Sequence, residues 1–90
     1  MVKSVQAHVS GQVQGVGFRY YAVHVANELG VVGAVRNTPD GGVEANAEGE
    51  EGVLSQFVSA LERGPHTAHV DSVTTAWGEP VGGYSGFTAV

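Results

Sequence analysis

A two-layer α/β sandwich with the element order βαββαβ is the fold class this chain predicts, and three observations predict it. Apolar residues recur with a period of two in four separate stretches. They recur with a helical period in two more, placed after the first and third of those stretches. Glycine and proline clusters mark the joints, at Gly11 to Gly17, Gly30, Pro39 to Gly42 and Gly64-Pro65. Two helices against one face of an antiparallel sheet bury both helical stripes with the fewest layers.

The first strand is carried by Val5, Ala7 and Val9, which alternate with Gln6, His8 and Ser10, and it is expected to end at Gly11. Phe18, Tyr21, Ala22, Val25, Ala26 and Leu29 then fall on one helical face without a break. Gly30 follows where a left-handed cap is expected. The second strand runs over Val31 to Asn37. Thr38-Pro39-Asp40-Gly41-Gly42 is a hairpin loop, with Pro fixing one dihedral. Val43, Ala45 and Ala47 alternate with Glu44, Asn46 and Glu48 in a third strand with one wet face. The second helix carries Val53, Leu54, Phe57, Val58 and Leu61, with Glu50 and Glu51 at its start and Gly64-Pro65 as its stop. Val70 to Trp77 reads as a fourth strand whose core-facing side the alternation leaves open. After a loop over 78–86, Phe87 to Val90 has room for a short fifth strand. The order fits the split βαβ arrangement, a ferredoxin-like sandwich.

Ninety residues make one domain, 1–90, and a chain this short buries only about 60–65% of its unfolded surface. There is no cysteine, which removes disulfides, thiolate nucleophiles and thiolate metal sites. Met1 to Ser4 lacks a basic segment followed by an apolar run, so a cytoplasmic protein is expected rather than a secreted one. No apolar stretch approaches a membrane span. The net charge is −5, with Lys3, Arg19, Arg36 and Arg63 the only Lys or Arg residues. A nucleic-acid surface wants a basic face, so that class of partner is not expected.

The stretch Gly11-Gln12-Val13-Gln14-Gly15-Val16-Gly17-Phe18-Arg19 leads from the first strand into the first helix. Its glycines let successive N–H groups turn toward one point, and the helix start adds unpaired N–H groups and a positive dipole end. Arg19 adds a fixed charge and a planar donor fork. Together these make a cradle for a tetrahedral oxyanion such as phosphate. A glycine-rich turn also serves simply to reverse the chain, and spacing alone does not separate the two readings. The segment is neither a dinucleotide fingerprint nor a Walker loop.

These residues carry a resemblance. Gly11 to Arg19 is similar to the signature of the acylphosphatase family: a glycine, then Val-Gln-Gly-Val, then Phe-Arg. Gly33-Ala34-Val35-Arg36-Asn37 resembles the family's second segment, and Gly64-Pro65, Ala68 and Val70 match a weaker third. The resemblance covers nearly the whole chain. It departs from the family at Ala34, where tryptophan is frequent, and at Phe87-Thr88-Ala89-Val90, which offers no terminal Arg or Tyr to the site.

In a split βαβ unit the first two strands run parallel with the third between them, so their carboxyl ends share one sheet edge. About 10 Å then separates the glycine loop from Asn37. Arg19 and Asn37 are therefore expected to converge on one small ion. Such a site has backbone donors, a guanidinium and an amide, but no carboxylate pair, activated nucleophile or metal cluster. It is poorly equipped to protonate a leaving alkoxide and well suited to a carboxyl–phosphate anhydride, whose carboxylate leaves unaided. The resemblance implies the same chemistry: a monomeric, cofactor-free hydrolase of small acyl phosphates. Gly15, Val16, Gly17, Phe18 and Arg19 hold the phosphoryl group, and Asn37 sets the attacking water in line. No metal, nucleic acid or membrane takes part. The competing expectation is a non-catalytic module of the same fold that binds a small anion or an amino acid. Of the remaining candidates, Arg36 is read as a solvated charge on the face opposite Asn37. His66 and His69 are read as a loop and strand pair, His8 and His24 as polar-face residues. Tyr21 is read as core, with Tyr20 beside the site, and Trp77 as a packing or sheet-face aromatic.

Overall fold

The computed structural model describes all 90 residues, Met1–Val90. Five strands and two helices follow in the order β1 (Val2–Gln12), α1 (Phe18–Leu29), β2 (Val32–Asn37), β3 (Val43–Glu50), α2 (Glu51–Arg63), β4 (His69–Gly78) and β5 (Phe87–Ala89). The sheet order is β4-β1-β3-β2-β5. The pairs β1–β3, β1–β4 and β2–β3 are antiparallel, while β5 adds to β2 in parallel. This is the ferredoxin-like sandwich, with the fifth strand present and on the far edge.

Strand alternation delivers Val5, Ala7 and Val9 of β1 and Val43, Ala45 and Ala47 of β3 to one face of the sheet. There they meet Phe18, Ala22 and Ala26 of α1 and Leu54, Phe57 and Leu61 of α2, all buried. Gly30 caps α1 in the left-handed conformation. Tyr21 is half-buried on the same stripe and spends its hydroxyl on the Ala60 carbonyl at 2.7 Å. No helix is long and apolar enough to cross a membrane.

Three strands run further than the alternation suggests. β1 continues past Gly11 to Gln12, β3 reaches Glu50, and β4 reaches Gly78. The register along β1 and β4 shifts between Ser10 and Gly11: Ser10 faces Ser72, but Gly11 faces Val70. Asp71 is the extra residue of this bulge, and it reverses the alternation of β4. Val70 on one side and Val73 on the other therefore both pack on the core. That reversal is why neither face of β4 reads cleanly as the inner one. Trp77 lies opposite Val5, on the helix-bearing face, and stays partly exposed near the sheet edge.

The connection from β4 to β5 spans the sheet from one edge to the other. Glu48 points away from the helices and is almost fully buried beneath that connection. Its carboxylate accepts the main-chain N–H groups of Val81 at 2.8 Å and Gly82 at 3.2 Å. Phe87 anchors the far end, its ring set edge-on to Phe57 with centroids 5.4 Å apart.

Candidate functional site

The strand order β1-β3-β2 puts the carboxyl ends of β1 and β2 on the same edge, on either side of the start of β3. The segment 13–17 leaves β1 there. Val13 is buried and fixes its entry; Phe18 is buried and fixes its exit into α1. Gly15 and Gly17 take φ of 75° and 81°, left-handed values that side chains resist. These two reversals curl the chain around a small volume. The main-chain N–H groups of Gly15, Val16 and Gly17 donate to no protein acceptor. The first N–H groups of α1, at Phe18 and Arg19, lack intrahelical partners by position. Thr67 holds the outer side of the loop, its hydroxyl donating to the Val16 carbonyl at 2.7 Å.

A cleft of about 440 Å³ opens at this loop, and Gly15, Gly17, Arg19, Tyr20, Asn37 and Ala89 are among the residues lining it. Arg19 and Asn37, far apart in sequence, therefore share one cavity. Phe18 contributes through its backbone, its ring being in the core. Val16 does not line the cleft; its side chain packs against the core from outside. Tyr20 is almost wholly exposed and forms part of the rim.

Electrostatics single out Arg19. Lys3 is paired with Glu79 at 2.7 Å, and that contact raises its pKa. Arg36 forks Nε and Nη2 onto one oxygen of Glu44, at 3.1 and 2.9 Å, on the face away from the core. Burial alone would raise the Glu44 pKa, but the Arg36 pairing together with hydrogen bonds from Asn46 and Gln6 outweighs it and leaves the carboxyl below its ordinary value. Arg19 and Arg63 meet no Asp or Glu side chain, and of the two only Arg19 lines the cleft. The Arg19 Nη1 donates to the main-chain oxygen of Val90 at 3.1 Å.

Asn37 ends β2 and pairs with Val43 across the hairpin. The loop between them is closed by Thr38 N–H to the Gly42 carbonyl at 3.0 Å and Gly41 N–H to the Thr38 carbonyl at 3.1 Å. Asp40 braces it from outside, accepting the Thr38 hydroxyl and, at 3.1 Å, the Gly42 N–H. His8 stands 3.1 Å from the other Asp40 oxygen. His69 pairs with Asp71 at 3.1 Å, and His24 with Glu28 at 3.3 Å on α1. Three contributors escape the motif reading: the Val90 carbonyl, Thr67, and the Gln14 side chain, which reaches the hairpin. Two of them act through main-chain acceptors near the loop, and the third is itself a main-chain acceptor.

Comparison with known proteins agrees with this fold. The family model described as acylphosphatase matches residues 5–89. An acylphosphatase from Nocardioides sp. is 51% identical over 73 residues, 81% of this chain and 74% of that protein. One from Roseiflexus sp. is 45% identical across 100% of this chain and 99% of its own length. Among solved structures, the acylphosphatase from Bacillus subtilis superposes with a TM-score of 0.93 at 36% identity, covering 100% of this chain and 99% of that one.

Proposed function

Because the chain belongs to the acylphosphatase family and hydrolyses acyl phosphates to carboxylate and inorganic phosphate, we propose that Arg19 and the 15–19 loop hold the phosphoryl group while Asn37 directs the attacking water. The single observation that carries this reading is the cleft common to Arg19, Asn37 and the unpaired loop N–H groups.

Arg19 and the N–H groups of Gly15, Val16, Gly17, Phe18 and Arg19 take the phosphoryl oxygens. They neutralise charge with groups already aimed, so little reorganisation accompanies the reaction. The Asn37 carboxamide accepts a hydrogen bond from water and points its oxygen at phosphorus, opposite the acyl oxygen. The water oxygen forms a bond to phosphorus, and the bond from phosphorus to the acyl oxygen breaks. The carboxylate leaves with the electron pair. The water proton passes to a phosphoryl oxygen late in a loose transition state, so no strong protein base is required. The cleft's titratable side chains are Arg19 and Tyr20. No carboxyl or imidazole lines the cleft, which suits a leaving group that needs no proton.

On this reading Arg19 supplies the charge that a metal would otherwise provide, and turnover is independent of divalent ions. The protein is read as a cytoplasmic monomer, and its net charge of −5 suits neither nucleic acid nor an anionic membrane surface. The test is hydrolysis of benzoyl phosphate with and without chelator, by the parent and by Asn37→Ala. The parent rate is expected to ignore chelator. Asn37→Ala is expected to fall by about 100-fold, the scale for one lost transition-state hydrogen bond, with inhibition by inorganic phosphate retained. Parent-like turnover by Asn37→Ala would remove its role in orienting water.

A further inference from the structure

Gln14 stands one residue before the glycine that begins the cradle, and the reaction as described leaves its side chain without a task. That side chain does not line the cleft. Its Nε2 instead donates to the Thr38 carbonyl and to the Gly42 carbonyl, each at 2.8 Å. Both acceptors are already engaged in closing the hairpin: Gly42 by the Thr38 N–H, Thr38 by the Gly41 N–H. A carbonyl oxygen has two lone pairs, and a primary amide has two hydrogens. Gln14 fills the second site on both carbonyls and spends both hydrogens doing so. Glutamate in its place would set a charged acceptor against two acceptors.

The position of this clamp matters more than its strength. Thr38 directly follows Asn37, and Gly42 directly precedes Val43, the strand partner of Asn37. The Gln14 bonds therefore grip the residues on either side of the Asn37–Val43 pair. Since β3 lies between β1 and β2, backbone pairing links the cradle to Asn37 only by way of that strand. Gln14 makes the direct link. We propose that Gln14 is a positioning residue that fixes the separation between the phosphorus held in the cradle and the water held by Asn37. This rests on the reading of Asn37 given above.

In-line attack tolerates little error, and a displacement of about 1 Å costs about 100-fold. The hairpin keeps its own ladder and the Asp40 brace when Gln14 is replaced, so a smaller loss, about 10-fold in kcat, is expected. The test compares Gln14→Met, which keeps the length and loses the donors, with Gln14→Asn, which keeps the donors and loses one methylene. Each is made alone and combined with Asn37→Ala. The readouts are kcat and KM for benzoyl phosphate, competitive inhibition by inorganic phosphate, and thermal unfolding.

Gln14→Met is expected to lower kcat about 10-fold, to leave phosphate inhibition within about 2-fold of the parent, and to add no further loss to Asn37→Ala. An equal loss in both backgrounds would make the residue merely structural and overturn the proposal. So would a fall in phosphate affinity that matches the fall in rate, since that places the effect on the cradle. Gln14→Met at the parent rate beside a slow Asn37→Ala removes the role of Gln14 alone. A fast Asn37→Ala removes the reading beneath both. Should Gln14→Met fail to fold, Gln14→Asn carries the same comparison.

Discussion

Arg19 donates through Nη1 to the main-chain oxygen of Val90 at 3.1 Å, so the residue that follows β5 helps aim the cleft's guanidinium. Val90 is itself held, its N–H donating to the Val35 carbonyl of β2 at 2.9 Å. A guanidinium has five N–H donors in a rigid fork, so one can rest on the chain while others face a phosphoryl group. An ammonium has no such fixed directions. Arg19→Lys is therefore expected to keep the charge and still lose about 10-fold or more in phosphate affinity, the worth of one charge-assisted hydrogen bond at the lower end. Arg19→Ala is expected to abolish phosphate inhibition and turnover together. Inhibition constants for inorganic phosphate decide it: an Arg19→Lys protein that binds phosphate as the parent does would show that charge alone suffices.

The second motif's glycine gives a different kind of prediction. Gly33 pairs with Ala47 on β3 and with Phe87 on β5, and donates its N–H to the Gly86 carbonyl at 2.9 Å. At its φ of 148° a Cβ would stand 1.9 Å from the Asn46 carbonyl oxygen, which is main chain and cannot swing aside. Gly33→Ala must push β2 from β3 and is expected to cost roughly 3 kcal/mol or more. At Gly17 the surroundings are open, with nothing within 4 Å of such a carbon. Gly17→Ala bears only the left-handed backbone penalty, about 1–2 kcal/mol. In thermal unfolding at this chain length, Gly33→Ala should melt lower than the parent by about 12 °C or more and Gly17→Ala by about half that. Equal melting points for the two variants would contradict the close approach at Gly33.

Why some of this was legible in the sequence and some was not follows from where the information sits. The core strands and both helices write their burial into residue type, at periods of two and 3.6, so β1, α1, β3 and α2 read directly. β4 reads as a strand but not as to its inner face, because the Asp71 bulge reverses its alternation and nothing in the residue types announces a bulge. β5 is three residues long and rests on one anchor, Phe87 against Phe57, too little to form a pattern. In the site, Arg19 and Asn37 are distinctive side chains in recognisable segments, and the strand order implied their meeting. The Val90 acceptor is a main-chain oxygen, which every residue has. Gln14 lies within the motif, but its task is set by the Thr38 and Gly42 carbonyls across the hairpin. Such partners emerge only with the register.

Asp40 makes the hairpin sensitive to acid. The Thr38 hydroxyl, then the Gly42 N–H, and more weakly His8, hold its carboxyl below its ordinary value of 3.8. A carboxyl whose folded pKa lies below its unfolded one binds fewer protons folded than unfolded. Its stabilising contribution is therefore complete above the ordinary value and is lost as pH falls through the lower folded value. Asp40→Asn keeps an oxygen acceptor and removes that titration. The variant is expected to be less stable than the parent near neutral pH and to close the gap as pH drops below 3.8, where the parent's carboxyl takes up its proton. Urea midpoints for both proteins, measured at steps from neutral pH to about pH 2, give the difference directly, and the shared contribution of Glu44 cancels. A difference that stays constant across that range would mean that Asp40 braces the Asn37 hairpin by shape and not by charge.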